Sequence, residues 1–272
     1  MRENNSAAAM HAYYELGKES GRLATSGHGQ LEFERTQEIV LRRLPPPGSV
    51  IADIGGGPGR YALWLAALGY QVVHRDVVPL HVDQLRVNAG GGAAIETAVG
   101  DARALDLDDA SVDAVLLLGP LYHLTARADR VQALSEARRV VRPGGPVFGA
   151  AISRWAARLD GILRLRMYEE FPEALDLIES SEATGLLPPL VPAGFTGYTH
   201  RPGQLRAEFR AAGLDVSDLV AVEGPALLLN DLGERMADPA ARQVVMDSAR
   251  AVERVPELIG LGSHLLASGL RP

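Results

Sequence analysis

Residues Ile51–Tyr61 read IADIGGGPGRY, and this stretch decides the fold. Val50 and the apolar residues after it have the character of a buried strand coming to its end. A turn rich in glycine follows, with Gly55, Gly56, Gly57 and Gly59, and with Pro58 fixing one dihedral. It leads into a helix carrying Tyr61, Ala62, Leu63, Trp64 and Leu65. Glycines permit positive φ and let a ligand touch bare backbone. The free N–H groups of the first helical turn make an electropositive cradle. Asp53 stands just before that cradle, so its charge selects what fits there.

Outward from this turn, strand and helix alternate. The expected strands are 49–54, Gln71–His74, Ala93–Val99, Val112–Leu118 and Pro146–Ile152, with helices over about 59–68, 79–87 and 127–141 between them. Val112–Leu118 is almost unbroken apolar sequence, as in a central parallel strand covered on both faces. Such alternation predicts an α/β fold with a doubly wound parallel sheet. Residues 10–44 read as helical and end at Pro45–Gly48. The organisation expected is a helical lid over 1–48, a Rossmann-like core over 49–152 and an inserted helical cap over 153–200. Core completion by one helix and two strands (near 214–222 and 225–229) follows over 201–230, then carboxyl-terminal helices over 231–272.

Acidic residues recur at strand ends, the edge where open α/β sheets bind ligands. Asp76, followed by Val77, ends the second strand and suits the hydroxyls of a ribose. Asp101–Ala102 follows the third strand and suits an adenine amino group. Leu118–Gly119 ends the fourth, with Tyr122 and His123 just beyond. Gly57–x–Gly59–x–x–Ala62 also fits a dinucleotide pattern. A carboxylate at Asp53 opposes a pyrophosphate but favours the ammonium and sulfonium of S-adenosylmethionine.

The order Asp53–x–Gly55–x–Gly57–x–Gly59, Asp76, Asp101, Gly119–Pro120–Leu121–Tyr122–His123 and Arg142–Pro143–Gly144–Gly145 resembles class I S-adenosylmethionine-dependent methyltransferases of the branch acting on small molecules. The resemblance implies a seven-stranded sheet of order 3-2-1-4-5-7-6 with the last strand antiparallel. It implies that Asp53 and Gly55, Gly56, Gly57 and Gly59 hold the methionine end of the cofactor. Asp76 and Val77 would hold the ribose, Asp101 and Ala102 the adenine, and Leu118 and Gly119 would lie beneath it. Gly119–Tyr122 stands where enzymes that methylate exocyclic amines of bases carry Asn/Asp-Pro-Pro-aromatic.

The chain has 272 residues, 47% hydrophobic and 22% charged, a net charge of −7 and no cysteine. Thiolate nucleophiles, disulfides and cysteine zinc sites are excluded. The acidic balance argues against nucleic acid, which asks for a basic face. Apolar runs too short for a bilayer and a polar start predict a cytoplasmic protein with no membrane partner. The expected partner is a small-molecule methyl acceptor, with a homodimer left open, and no metal. His123 is the candidate base for the acceptor proton, and Tyr122, Tyr13 and Tyr14 the candidate orienting groups. His28, Tyr168, Tyr198 and His200 are further candidates, with Arg35 and Glu32 as a charge pair holding the lid. The competing readings are an NAD-dependent oxidoreductase and a non-catalytic cofactor-binding protein.

Overall fold

A computed structural model describes residues 26–92, 94–190 and 194–272. The chain falls into two compact units. One comprises Arg42–Ala150, Arg206–Asp218 and Ala267–Pro272, and the other the remainder.

The first unit is built on β1 (Val50–Ile54), α2 (Arg60–Ala67), β2 (Gln71–Asp76), α3 (Pro79–Ala89), β3 (Ile95–Val99), β4 (Ala114–Leu117), α4 (Pro120–His123), α5 (Arg127–Val140) and the start of β5 (Pro146–Ser153). Helix α1 (Gly27–Leu41) precedes them in the other unit. Strand β1 pairs in parallel with β2 and β4, β2 with β3, and β4 with β5. All four residues of β4 are buried, as its unbroken apolar sequence requires, whereas β3 at the edge is half exposed. Strand β2 runs two residues past the expected end, so Asp76 is its last residue.

Later elements are β6 (Leu186–Leu187), β7 (Gly197–His200), α7 (Pro202–Ala211), β8 (Asp215–Ala221) and β9 (His264–Leu270). The expected sheet order is met by β3-β2-β1-β4-β5-β9-β8, since β9 pairs with both β5 and β8. Gly144 and Gly145 bond to Arg271, and Ser153 bonds to Ser263, so β9 runs antiparallel to β5. The last strand is therefore not at 225–229, where Gly224–Leu228 forms a 3₁₀ turn, but at the carboxyl terminus. That segment, HLLASGL, lacks alternation because both faces are covered. A Cβ at Gly269 would meet Phe209 of α7 at 3.0 Å, so small residues are needed for that approach.

In the other unit the stretch expected as a helical cap is mixed. It holds a π-helical segment Ala157–Arg164, a 3₁₀ turn Met167–Glu169, α6 (Ala174–Thr184) and the two short strands β6 and β7. Strand β7 pairs in parallel with the end of β5 (Ile152↔Thr199, Ser153↔His200). Helices α8 (Leu232–Ala237) and α9 (Pro239–Val252) share an apolar cluster with Leu31 of α1. Arg35 is buried and bonds to Glu253 at 2.5 Å, to Glu38 and to the Val222 carbonyl. Among the described residues no helix is long and apolar enough to cross a membrane.

Candidate cofactor site

The sequence-expected cofactor residues come together in the first unit, at the carboxyl ends of β1, β2 and β4. Gly55, Gly57 and Gly59 all have positive φ. The turn is pressed against its surroundings: a Cβ at Gly56 would lie 2.3 Å from Asp53 Oδ2, and one at Gly119 2.7 Å from the Gly55 carbonyl oxygen. A side chain at Gly119 would thus push the β4 end off the turn. Gly55 N–H donates to the Arg75 carbonyl at 2.6 Å, and Gly57 N–H donates to Asp76 Oδ2 at 2.8 Å. The turn is stitched to the end of β2.

Asp53 is fully buried, and neither carboxylate oxygen has a hydrogen-bond partner of normal geometry. Burial first, and then the negative charge of Asp76, push its pKa up to about 7, while the nearby Ala62 N–H pulls weakly the other way. An unsatisfied buried carboxylate is costly.

Asp76 is the opposite case. Oδ1 accepts from the Val78 N–H at 2.9 Å and pairs with His81 Nδ1 at 3.1 Å, and Oδ2 takes the Gly57 N–H. Burial raises its pKa, but these donors outweigh it and hold the carboxyl below the usual range. Val77 is half-buried beside it. Asp101 is bound by Arg103 through Nε, Nη2 (2.7 Å) and the backbone N–H, which lowers its pKa. Arg103 also reaches Asp129 at 3.3 Å. Ala102 is buried and Leu118 half-buried.

After β4, Tyr122 folds back so that its hydroxyl lies 3.8 Å from the Cβ position of Gly119. Its ring sits 4.8 Å from that of His123. The segment is fixed from behind by Arg130. Its guanidinium donates to the Leu124 and Thr125 carbonyls at 2.8 and 2.9 Å and, in a buried pair, to Glu208 of α7 at 2.8 Å.

Of the orienting tyrosines, Tyr13 and Tyr14 lie outside the described residues. His28, Tyr168, Tyr198 and His200 belong to the other unit. There His28 pairs with the Leu227 carbonyl, and Tyr198 packs on His200. Glu32, Glu223 and His264 place three ligand atoms within 4.8 Å of one another, with His264 Nδ1 bonded to Glu223 at 2.5 Å. Sequence reasoning missed His74, His81, Arg103 and Arg130. His74 lies on the strand that ends at Asp76 and His81 on the helix after it, and a histidine inside an apolar strand was the available signal.

Residues 52–149 match the methyltransferase-domain family. Over 122 residues the chain is 38% identical to the ubiquinone/menaquinone biosynthesis C-methyltransferase UbiE of Acidiphilium cryptum, covering 43% of this chain and 48% of that protein. The chain spans about half the length of the first curated relatives it matches. A methyltransferase structure from Methanosarcina mazei superposes with a TM-score of 0.58 at 18% identity, covering 86% of this chain and 96% of that one. One from Thermotoga maritima, described as a possible histamine N-methyltransferase, gives 0.58 at 17% identity, covering 97% and 100%. These two likenesses concern the fold. Residues 52–149 are thus similar to the methyltransferase domain, and the glycine turn and strand order give the fold of class I S-adenosylmethionine-dependent methyltransferases.

Proposed function

We propose that the protein transfers a methyl group from S-adenosylmethionine to an N, O or C nucleophile of a small molecule, a specialised metabolite with an aromatic or heterocyclic portion. The observation that carries this reading is the buried carboxylate of Asp53, with neither oxygen hydrogen-bonded in normal geometry, beneath a turn too tight for side chains. A ligand bearing an ammonium next to a nucleoside answers that carboxylate, whereas a pyrophosphate would set like charges together. The ring-bearing acceptor is supported by the C-methyltransferase relatives of quinone biosynthesis.

In this reading Asp53 with Gly55, Gly56, Gly57 and Gly59 holds the methionine end. Asp76 has already accepted three protein donors out of roughly four lone-pair directions, so it takes one ribose hydroxyl through Oδ2 rather than two. Val77 packs beside the ribose, Asp101 and Ala102 face the adenine, and Leu118 with Gly119 forms the floor. The bound cofactor supplies an electrophilic methyl on a sulfonium that leaves readily. The protein's share is alignment of the acceptor with that methyl. Tyr122 orients the acceptor, and an imidazole nitrogen of His123 takes its proton where one must be lost. A homodimer and a cytoplasmic site of action belong to the same proposal.

Calorimetry with S-adenosylhomocysteine, with NAD as the control, tests it. Binding of the first and not the second is expected, and the reverse result overturns the reading. Incubation with metabolite extracts and a labelled methyl donor then identifies the acceptor as the one species that gains a methyl.

A further inference from the structure

His74 occupies the middle of β2, two residues before Asp76, and residues two apart on a strand share a face. Its ring is fully buried. Nε2 lies 3.1 Å from the Gly57 carbonyl oxygen, and Nδ1 lies 2.9 Å from Thr97 Oγ1 on β3. A carbonyl only accepts, so Nε2 carries the proton and Nδ1 is bare. The Thr97 hydroxyl therefore donates to Nδ1. One tautomer satisfies both ends, and a second-neighbour hydroxyl selects it.

Gly57 is consequently held on both sides by one face of β2: its N–H by Asp76, its carbonyl by His74. That carbonyl belongs to the peptide joining Gly57 to Pro58. With Gly56 before it and φ of +59° at Gly57, this part of the turn has few steric restraints of its own. Its orientation must come from outside the turn.

We propose that His74 is a positioning residue that sets the Gly57–Pro58 peptide for the cofactor by donating from Nε2 while Thr97 fixes its tautomer. The proposal rests on the reading of the turn as a cofactor cradle. His74 does not meet the cofactor; it acts through the turn. A turn already ordered loses less freedom on binding, so the effect falls on affinity and not on the chemical step. Burial, partly opposed by Asp76, keeps the ring neutral by lowering its pKa to about 4, and so preserves the bare Nδ1 through physiological pH.

The test uses the full chain with His74→Leu, His74→Gln and Thr97→Val, and two readouts: the dissociation constant for S-adenosylhomocysteine, and hydrogen exchange of the Gly57 amide in the ligand-free protein. His74→Leu fills the space but cannot donate, and about tenfold weaker binding with faster Gly57 exchange is expected. Glutamine places an N–H near the position of Nε2 and is expected to restore affinity to within about threefold of wild type. Where turnover is assayed, KM for the cofactor rises and kcat stays within about twofold, whereas a merely structural role would lower Tm and leave the affinity of folded protein unmoved. Folded His74→Leu with wild-type affinity and exchange overturns the proposal. Should His74→Leu not fold, Thr97→Val decides in its place: about threefold weaker binding supports the relay, and no change overturns it. If the wild type itself does not bind S-adenosylhomocysteine, the cofactor reading falls, and Gly57 exchange in the variants still decides whether His74 holds the turn.

Discussion

Two buried charges in the same unit are treated in opposite ways. Arg130, behind the α4 segment, meets a carboxylate and two carbonyls within 3.1 Å. Asp53, beneath the glycine turn, has neither oxygen hydrogen-bonded in normal geometry and feels the like charge of Asp76. Both are sealed from water. Arg130 is a fastener: it ties α5 to α7 and pins the carbonyls that directly follow His123. Asp53 is a structural liability, and in the proposed function the cofactor's ammonium completes it. A satisfied buried charge holds architecture, and an unsatisfied one marks where a ligand belongs.

Breaking the fastener gives the largest expected effect. Arg130→Met strands Glu208 in the interior, and unfolding by denaturant should register a loss of about 3–5 kcal/mol. Replacing both partners with apolar residues should recover much of it. A stability unchanged by the single substitution would erase the contrast between the two sites.

Asp53→Asn should move binding and stability in opposite directions. Affinity for S-adenosylhomocysteine should fall about 100-fold, or about 3 kcal/mol. Stability of the ligand-free protein at pH 8 should rise, because keeping the native carboxylate ionised costs about 4 kcal/mol for a pKa held near 7. The sign follows from the raised pKa: between the unfolded value near 4 and the folded value near 7 the native state binds the extra proton, so Asp53 erodes stability as pH climbs through that window. Thermal unfolding from pH 5 to 8 in wild type and variant isolates the term.

His123→Ala should leave the Arg130 fastener and cofactor affinity intact while lowering kcat about 100-fold for an acceptor that must lose a proton. Untouched turnover would remove His123 as the base. The smallest effect is expected at Asp101, whose partner Arg103 is half exposed and screened. Asp101→Asn should weaken cofactor binding by a few-fold, with calorimetry as the check.

The cradle was legible in the sequence because its demands are local. Consecutive glycines, a proline and acids at strand ends are read without knowing what packs against them. The strand order followed from the family resemblance, but the identity of the last strand did not. His264–Leu270 is short, rich in small residues and buried on both faces, so it carries no period to detect. Strand β7 is four residues long and exists through its pairing with the end of β5. The partners of Asp76 and Asp101 were also hidden: His81 lies on the following helix and Arg103 two residues along, and only the folded geometry turns them onto those carboxylates. The same holds for Arg130 and Glu208, brought together from distant positions in the chain.

The central claim is that the carboxylate of Asp53 waits for the cationic end of the methyl donor. Titration of S-adenosylhomocysteine into the full chain from pH 6 to 8.5, in two buffers of different ionisation enthalpy, tests it most directly. With Asp53 near pKa 7 in the free protein, affinity should be about tenfold lower at pH 6 than at pH 8, with close to one proton released at pH 6 and almost none above pH 8. Binding that is flat across this range and moves no proton would contradict the account.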